Sequence, residues 1–295
     1  MNNALRSVIN KKTIFSFLLI PTAMYVFFVI QPLVMTFVYS FTDWDGVSTS
    51  YSFLGFKNFI KLLHDDFFWN AFFNNLKWLA VMVSCPTLLG LLLASLLSRD
   101  LKGAMFFKVI FYLPTVLSYM VTGLLWSWVY EPNIGILNLF LRSVGLNEIT
   151  KAWLADPATV LFAIAIAATW RQTGFSMVLY LAGLNGVPKD IIESAKIDGA
   201  TGWRLFWKII FPLLKSSTAV VITFSLIDSF TVFDIIFTMT QGGPYRQSEV
   251  LAVYLYKEAF WNYRAGYASS IAVMLFVIVL IITSVYIRAS KEEEL

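Results

Sequence analysis

Charged residues, cysteine and histidine are all scarce in this chain of 295 residues. Only 14% of the residues are charged, whereas 58% are hydrophobic and the mean hydropathy is +0.72. Soluble domains carry about 25% charged residues, so the composition excludes an ordinary water-soluble domain. The single cysteine, Cys85, excludes an intrachain disulfide, and His64 alone cannot build a metal site.

The chain also lacks the pattern G-x-x-x-x-G-K-[ST], the loop that cradles nucleotide phosphates, so we expect it to bind no ATP itself. One histidine and one cysteine, far apart in the sequence, supply no nucleophile and base pair, which argues against an enzyme. The net charge of +4 is carried largely by predicted cytoplasmic loops. It therefore indicates anionic lipid headgroups better than nucleic acid.

Long apolar windows are what the sequence has instead, and each is long enough to cross a bilayer. They predict an all-α integral membrane protein with six transmembrane helices. The fourth window contains Arg171, and the fifth contains Asp228 and Asp234. We treat residues 1–295 as one membrane domain. The predicted spans cover about residues 14–40, 78–98, 108–130, 158–184, 213–238 and 266–288.

The distribution of basic residues predicts the orientation in the membrane. Placing both termini in the cytoplasm puts 13 lysines and arginines inside and 8 outside, and the inside segments are shorter. This bias follows the positive-inside rule. On the outside, two short helices are predicted, one near Asn58–His64 and one along the apolar stripe of Ile136, Leu137, Phe140 and Leu141.

The cytoplasmic segment 186–212 reads as two short helices. Pro188 suits a first helical position, Asp190 and Glu193 lie in or near the first turn, and Gly199 can close the helix. The second helix begins near Thr201. Its apolar face contains Leu205, Phe206, Ile209 and Ile210, before Pro212 turns the chain into the membrane. Such built-in start and stop signals favour a docking element over a solvated connector.

The motif in this segment resembles the EAA loop of permease subunits of binding-protein-dependent ABC importers. That loop reads E-A-A, three residues, G, nine residues, I-x-L-P, and this chain keeps both spacings from Glu193 to Pro212. It departs at Ser194 and Phe211, which changes neither the glutamate nor the glycine. The stretches LAGLNGVPKDIIESAKIDGAT, YLPTVLSYMVTGLLWSWVYEPNIGILN and MTQGGPYRQSE resemble the carbohydrate-importing branch, which includes maltose and glycerol-phosphate permeases.

The resemblance implies a transport subunit without catalysis, placed in the cell membrane. Its implied partners are a second, similar permease, a dimer of ABC ATPases that hold the ATP and magnesium, and an extracytoplasmic solute-binding protein. The loop would dock on the ATPase and transmit its closure to the fifth span. The implied coupling residues are Glu193, Ser194, Ala195, Asp198, Gly199, Ala200, Ile209 and Pro212.

Charged groups at bilayer depth are costly and usually face a cavity or a partner. Arg171 and Asp228 fall at similar depth on consecutive spans, so they could pair, whereas Asp228 and Asp234 lie about 120° apart on one helix. Polar and aromatic side chains here could line a sugar pathway. The alternative is an ion pair that only orients two spans. The candidate pathway residues are Trp170, Arg171, Gln172, Phe175, Ser225, Asp228, Ser229, Phe233 and Asp234.

Other functions remain open at this point. Glycerol 3-phosphate or another small polar solute could be the cargo, although one buried cation against two aspartates favours a neutral sugar. A membrane channel would need no docking loop. The sequence does not name the saccharide.

Overall fold

A computed structural model describes residues 11–98 and 102–292 of the chain. All regular elements in this part are helical, and Thr42 and Phe53 form an isolated antiparallel bridge. The all-α prediction is therefore confirmed for these residues. Of the basic residues assigned to the cytoplasm, Arg6 and Arg99 lie outside the described residues.

Thirteen helices are numbered here in chain order. The first, α1, consists of Lys11–Tyr25, a π-helical turn Val26–Ile30, and Gln31–Tyr39. The twelfth, α12, consists of Leu251–Tyr256 and a π-helical turn Lys257–Trp261. The others are α2 Lys57–Leu63, α3 Asp66–Leu97, α4 Ala104–Val116, α5 Tyr119–Val129, α6 Ile136–Ser143, α7 Val160–Asn185, α8 Lys189–Ile197, α9 Gly202–Leu213, α10 Lys215–Thr231, α11 Asp234–Thr240 and α13 Ala265–Glu292.

The length and composition of these helices allow three to five membrane spans within the described residues. Phe17–Tyr39, Asp66–Leu97 and Ala265–Ala289 are each long and apolar enough to cross a membrane. Two bent helix pairs, α4 with α5 and α9 with α10, raise the number to five if each pair is one span. Helix α7 is 26 residues long, but its polar stretch around Arg171 and Gln172 lowers its hydropathy. The count of six stays a prediction.

Helix α3 starts at Asp66, 12 residues before the predicted start of the second span at Trp78. Part of the predicted outer loop is therefore helical. Asp65 caps the helix by accepting a hydrogen bond from the Phe67 amide at 2.9 Å. Polar residues in the first turns of α3 lower the mean hydropathy there, so a hydropathy window places the start of the span too late.

The predicted third and fifth spans are broken rather than continuous. Helices α4 and α5 meet at 103° around Leu117 and Ser118. Helices α10 and α11 are separated by Val232 and Phe233. Asp228 and Asp234 therefore lie on different helices, and the prediction that they sit 120° apart on one helix is wrong.

The described residues form two compact units. One unit contains residues up to His64 together with Leu255–Met274. In it, the buried amide of Asn58 donates to the carbonyls of Ser40 and Thr42 at 3.0 and 2.8 Å. The Gly266 amide donates to the Trp44 carbonyl at 2.7 Å. These bonds fix the segment that follows α1, whereas the part of α1 from Phe17 to Met35 is exposed.

The other unit, Asp65–Tyr254 with residues from Leu275 onward, is built around α7. Fourteen of the 26 residues of α7 are buried, and the helix packs against α3, α4, α5 and α10. One apolar cluster surrounds its first half and includes Trp78, Ile164 and Ile235. A second cluster surrounds its last half and includes Met177 and Leu214. Helix α7 thus holds the broken spans in place.

Glycine allows α3 and α7 to approach each other closely. A Cβ added to Gly90 would lie 2.5 Å from the Ser176 Cβ and 2.8 Å from the Met177 nitrogen. Small residues at such crossings are typical of membrane helix pairs, because packing rather than hydrophobicity drives their association.

We expect Gly90→Val to destabilise this helix pair, since overpacking costs about 1–3 kcal/mol or more where backbone atoms cannot move. Detergent-solubilised protein should show less monodisperse material and a lower melting temperature. Leu88→Val is the matched control, because Leu88 is exposed on the same helix. Equal melting temperatures for the two variants would contradict this account of the packing.

Candidate functional site

The break between α4 and α5 exposes backbone groups that a continuous helix would pair. The Ser118 hydroxyl accepts a hydrogen bond from the Val121 amide at 3.2 Å. The carbonyl of Leu117 accepts one from Arg171 Nε at 2.6 Å. Irregular backbone at membrane depth persists only where such groups are satisfied. Arg171 therefore has a structural role at the break.

Tyr119, the first residue of α5, contacts side chains of α7 and α10. The Arg171 guanidinium carbon lies 4.0 Å from the centre of the Tyr119 ring, at cation–π distance. The Tyr119 hydroxyl donates to Asp228 Oδ2 at 2.7 Å and lies 3.5 Å from Gln172 Oε1. We call Tyr119, Arg171, Gln172 and Asp228 the Tyr119 cluster. Tyr119 therefore connects Arg171 and Asp228 in place of the predicted direct pair.

The two predicted serines differ in their surroundings. The Ser229 hydroxyl donates to the Ser225 carbonyl in its own helix at 2.6 Å. The Ser229 carbonyl accepts from the Asn75 amide at 2.9 Å, and Asn75 Oδ1 accepts from the Leu251 nitrogen. Ser229 thus belongs to a link between helices. The Ser225 hydroxyl is buried, one turn before Asp228, with no hydrogen-bond partner among the described residues.

The predicted aromatic residues lie in separate ring pairs. Trp170 is 5.9 Å from Trp126 between ring centres, and Phe175 is 5.2 Å from Phe224. The Phe233 ring stacks at 4.9 Å on Phe237, at the start of α11. Asp234 is exposed and lies outside the Tyr119 cluster. The structure thus brings together Arg171, Gln172 and Asp228 from the predicted set.

The segment 186–212 contains the two predicted helices, α8 and α9. Pro188 occupies the N-cap of α8, one position before the predicted one. Gly199 has a positive φ of 83°, and the Ala200 amide donates to the Ala195 carbonyl at 2.9 Å. Such a left-handed residue closes the helix and reverses the chain. Gly199 therefore ends α8, as the sequence predicts.

The coupling residues divide between an exposed and an inward side. Glu193, Ser194, Asp198 and Gly199 are exposed, whereas Ala195 is buried in its own chain. Ala195 therefore packs against other residues of this chain and does not belong to the exposed side. Ala200, Ile209 and Pro212 follow in the second part of the segment, where Ala200 and Ile209 are half-buried and Pro212 is exposed.

Sequence reasoning missed several residues that the structure places at these sites. Tyr119 was assigned to a continuous apolar span, although Pro114 and Ser118, which precede it, are signals of a helix break. Two exposed apolar side chains near Glu193 were also missed, namely Ile197 at 87% and Trp203 at 77% exposure. Large exposed apolar groups on a polar loop indicate a protein contact.

Broken apolar helices around a half-buried polar cluster, together with a capped helix pair, are the features expected of a membrane transport subunit. The chain belongs to the family described as binding-protein-dependent transport system inner membrane component, which matches residues 86–290. This finding confirms the resemblance drawn from the EAA-like motif.

Relatives match along nearly the whole chain. The probable ABC transporter permease protein YurN of Bacillus subtilis is 34% identical over 292 residues, covering 97% of this chain and 100% of the relative. The diacetylchitobiose uptake system permease protein NgcF of Streptomyces coelicolor is 33% identical over 288 residues, covering 94% and 81%.

Solved structures show the same fold. A chain of a bacterial ABC transporter involved in the import of the acidic polysaccharide alginate superposes with a TM-score of 0.83 at 22% identity, covering 98% of this chain and 99% of that one. The alginate transporter in complex with its alginate pentasaccharide-bound periplasmic protein gives 0.84 at 23% identity, covering 97% and 96%.

Proposed function

We propose that this chain is the membrane subunit of an ATP-driven importer of oligosaccharides or disaccharides and forms half of the translocation pathway. The observation that carries the proposal is the Tyr119 cluster. It places a charged acceptor, a guanidinium and an amide beside an aromatic ring at membrane depth. Such groups suit sugar hydroxyls and the apolar face of a sugar ring. The names of NgcF and of the alginate transporter support a saccharide as the cargo.

The energy source in this proposal is a separate pair of ABC ATPases, which bind ATP and magnesium. Helix α8 docks on one ATPase through the exposed side that carries Glu193 and Gly199. Helix α9 continues toward α10, so a push on α8 reaches the helix that carries Asp228. This arrangement would convert closure of the ATPases into movement of the Tyr119 cluster.

The remaining partners are a second permease, which supplies the other half of the pathway, and a solute-binding protein outside the membrane. The family description and the alginate complex support the binding protein. We place the chain in the cell membrane with six spans, both termini and segment 186–212 in the cytoplasm, in line with the bias of basic residues.

Reconstitution tests this function. Proteoliposomes containing the chain, a second permease and the ATPase should accumulate radiolabelled saccharide only when ATP and the loaded binding protein are present. We expect the loaded binding protein to raise ATP hydrolysis by about tenfold or more, because it biases the transporter toward the hydrolysing state. Omitting the second permease should abolish both signals.

A saccharide flux that requires no ATP and no binding protein would contradict the importer and indicate a channel. ATP-dependent accumulation of a solute other than a saccharide would retain the importer and overturn its cargo. Thermal-shift measurements on the binding protein with a panel of saccharides identify the sugar to be labelled.

A further inference from the structure

The short helix α6, Ile136–Ser143, exposes three apolar side chains, Ile136, Leu139 and Phe140, and buries a polar one, Asn138. A surface helix of a soluble domain has the opposite arrangement. We propose that the exposed face of α6, together with Trp128 and Ile134, lies in the headgroup layer of the bilayer and anchors this end of the broken third span. This inference does not depend on which solute is transported.

The buried side of α6 is held by hydrogen bonds. Asn138 is 1% exposed, and its amide donates to the carbonyls of Pro132 and Lys151 at 3.1 and 2.9 Å. Its Oδ1 accepts from Trp153 Nε1 at 2.8 Å. Buried polar groups with all partners in place rigidify a structure. The hydrogen bonds of Asn138 therefore fix the orientation of α6, in which Leu137 and Leu141 are half-buried and Ile136, Leu139 and Phe140 face outward.

The outward face is apolar from Ile136 to Phe140, a little more than one turn. Ile136 is 70% exposed, Phe140 60% and Leu139 49%. Such contiguous apolar exposure marks a contact with another protein or with lipid. Isoleucine, leucine and phenylalanine on one face of a short helix are typical of helices that lie in a membrane interface.

The position of α6 in the chain selects lipid as the partner. Helix α5 ends at Val129, and the Gly135 amide already donates to the Glu131 carbonyl at 3.0 Å. The Glu131 carboxylate accepts hydrogen bonds from the amides of Ile134 and Asn133, and these bonds, the one from Ile134 most, hold the pKa of Glu131 below its usual range. One tight turn thus joins α6 to α5, and this turn holds α6 at the level where the span ends.

Glycine is required at the end of this turn. A Cβ at Gly135 would collide with the carbonyl oxygens of Val129 and Glu131. The backbone of this turn therefore approaches itself closely, which keeps the connection between α5 and α6 short.

The apolar surface of α5 leads in the same direction. Leu124 and Trp128 lie four residues apart on one face of α5, and they are 51% and 73% exposed. Tryptophan prefers the headgroup level of the bilayer. Ile134, six residues after Trp128, is 77% exposed, and Ile136 follows it. A membrane surface accounts for the whole series from the span to α6.

The test uses fluorescence quenching by lipid. In a Cys85→Ala background, the full chain with Phe140→Cys is labelled with bimane and reconstituted with its partner subunits in phosphatidylcholine vesicles. We expect brominated acyl chains to reduce the fluorescence by about half relative to unbrominated vesicles, because the site lies at the headgroup and acyl boundary. Glu148→Cys, an exposed polar position beyond α6, is the control and should lose less than about a tenth.

Leu139→Cys provides a second position on the same face in case the Phe140 variant does not fold. Quenching at neither position would overturn the proposal. Quenching that appears only without the second permease or the binding protein would also overturn it, because the face would then be a protein interface. Quenching at Phe140 or Leu139 in the complete complex, with little at Glu148, supports lipid anchoring.

Discussion

Proline in place of Gly199 is expected to abolish ATP-driven uptake while leaving the chain inserted in the membrane. Gly199 has a φ of 83°, whereas proline fixes φ near about −65°. Proline also removes the amide that donates to the Lys196 carbonyl at 3.1 Å. The change would alter the turn between α8 and α9, through which the proposed push travels. Uptake of labelled saccharide and ATP hydrolysis by the same proteoliposomes measure the effect.

A charge reversal at Glu193 tests the docking surface without changing the backbone. We propose that Glu193 pairs with a basic residue of the ATPase. Glu193→Lys is then expected to weaken association with the ATPase by on the order of a hundredfold, since a like-charge contact across an interface costs several kcal/mol. Co-purification of the ATPase with the tagged permease measures the loss. Glu148→Lys is the control, because Glu148 is an exposed glutamate in the segment between α6 and α7.

Gly199→Ala separates backbone strain from misfolding. No atom lies within 4 Å of a Cβ added at this glycine, so alanine meets only the cost of the left-handed conformation, about 1 kcal/mol. We expect partial transport from this variant. Transport by Gly199→Pro and Glu193→Lys at the parental rate would show that this segment does not couple the subunits.

The second large effect is expected at Asp228. Asp228→Asn keeps an acceptor for the Tyr119 hydroxyl but removes the charge, and a hydrogen bond to a charged group contributes about 1.5–3 kcal/mol. Uptake should therefore fall by about ten- to a hundredfold if the carboxylate contacts the saccharide. The assembled complex should still form and still hydrolyse ATP.

Tyr119→Phe tests the same hydrogen bond by removing its donor. The ring and its contact with Arg171 remain, while the hydroxyl that donates to Asp228 is lost. Thr223→Val on α10 is the control, because the Thr223 hydroxyl donates only within its helix, to the Ala219 carbonyl at 2.8 Å. Saccharide uptake by Asp228→Asn at the control rate would remove the Tyr119 cluster from the pathway.

Local sequence signals predicted much of the fold correctly. Helix α7 begins and ends within two residues of the predicted span, and the turn at Gly199 and the helices at Lys57–Leu63 and Ile136–Ser143 are where the patterns place them. Hydropathy averages over a window, however, and it cannot detect a helix break whose two halves are both apolar. The bend at Leu117 and Ser118 was missed for this reason. The beginning of α3 was missed because polar residues lower the mean hydropathy there.

The sequence by itself determined that this protein is a helical membrane subunit, because apolar length, sparse charge and the spacing from Glu193 to Pro212 are local properties. Tertiary structure alone decided how the charged groups of α7 and α10 are used. Arg171 binds the carbonyl freed at Leu117, and Tyr119, 109 residues before Asp228, connects the two charged groups. No periodicity records such a contact, since a hydrogen bond between distant helices depends on their packing and not on the neighbours of either residue in the chain.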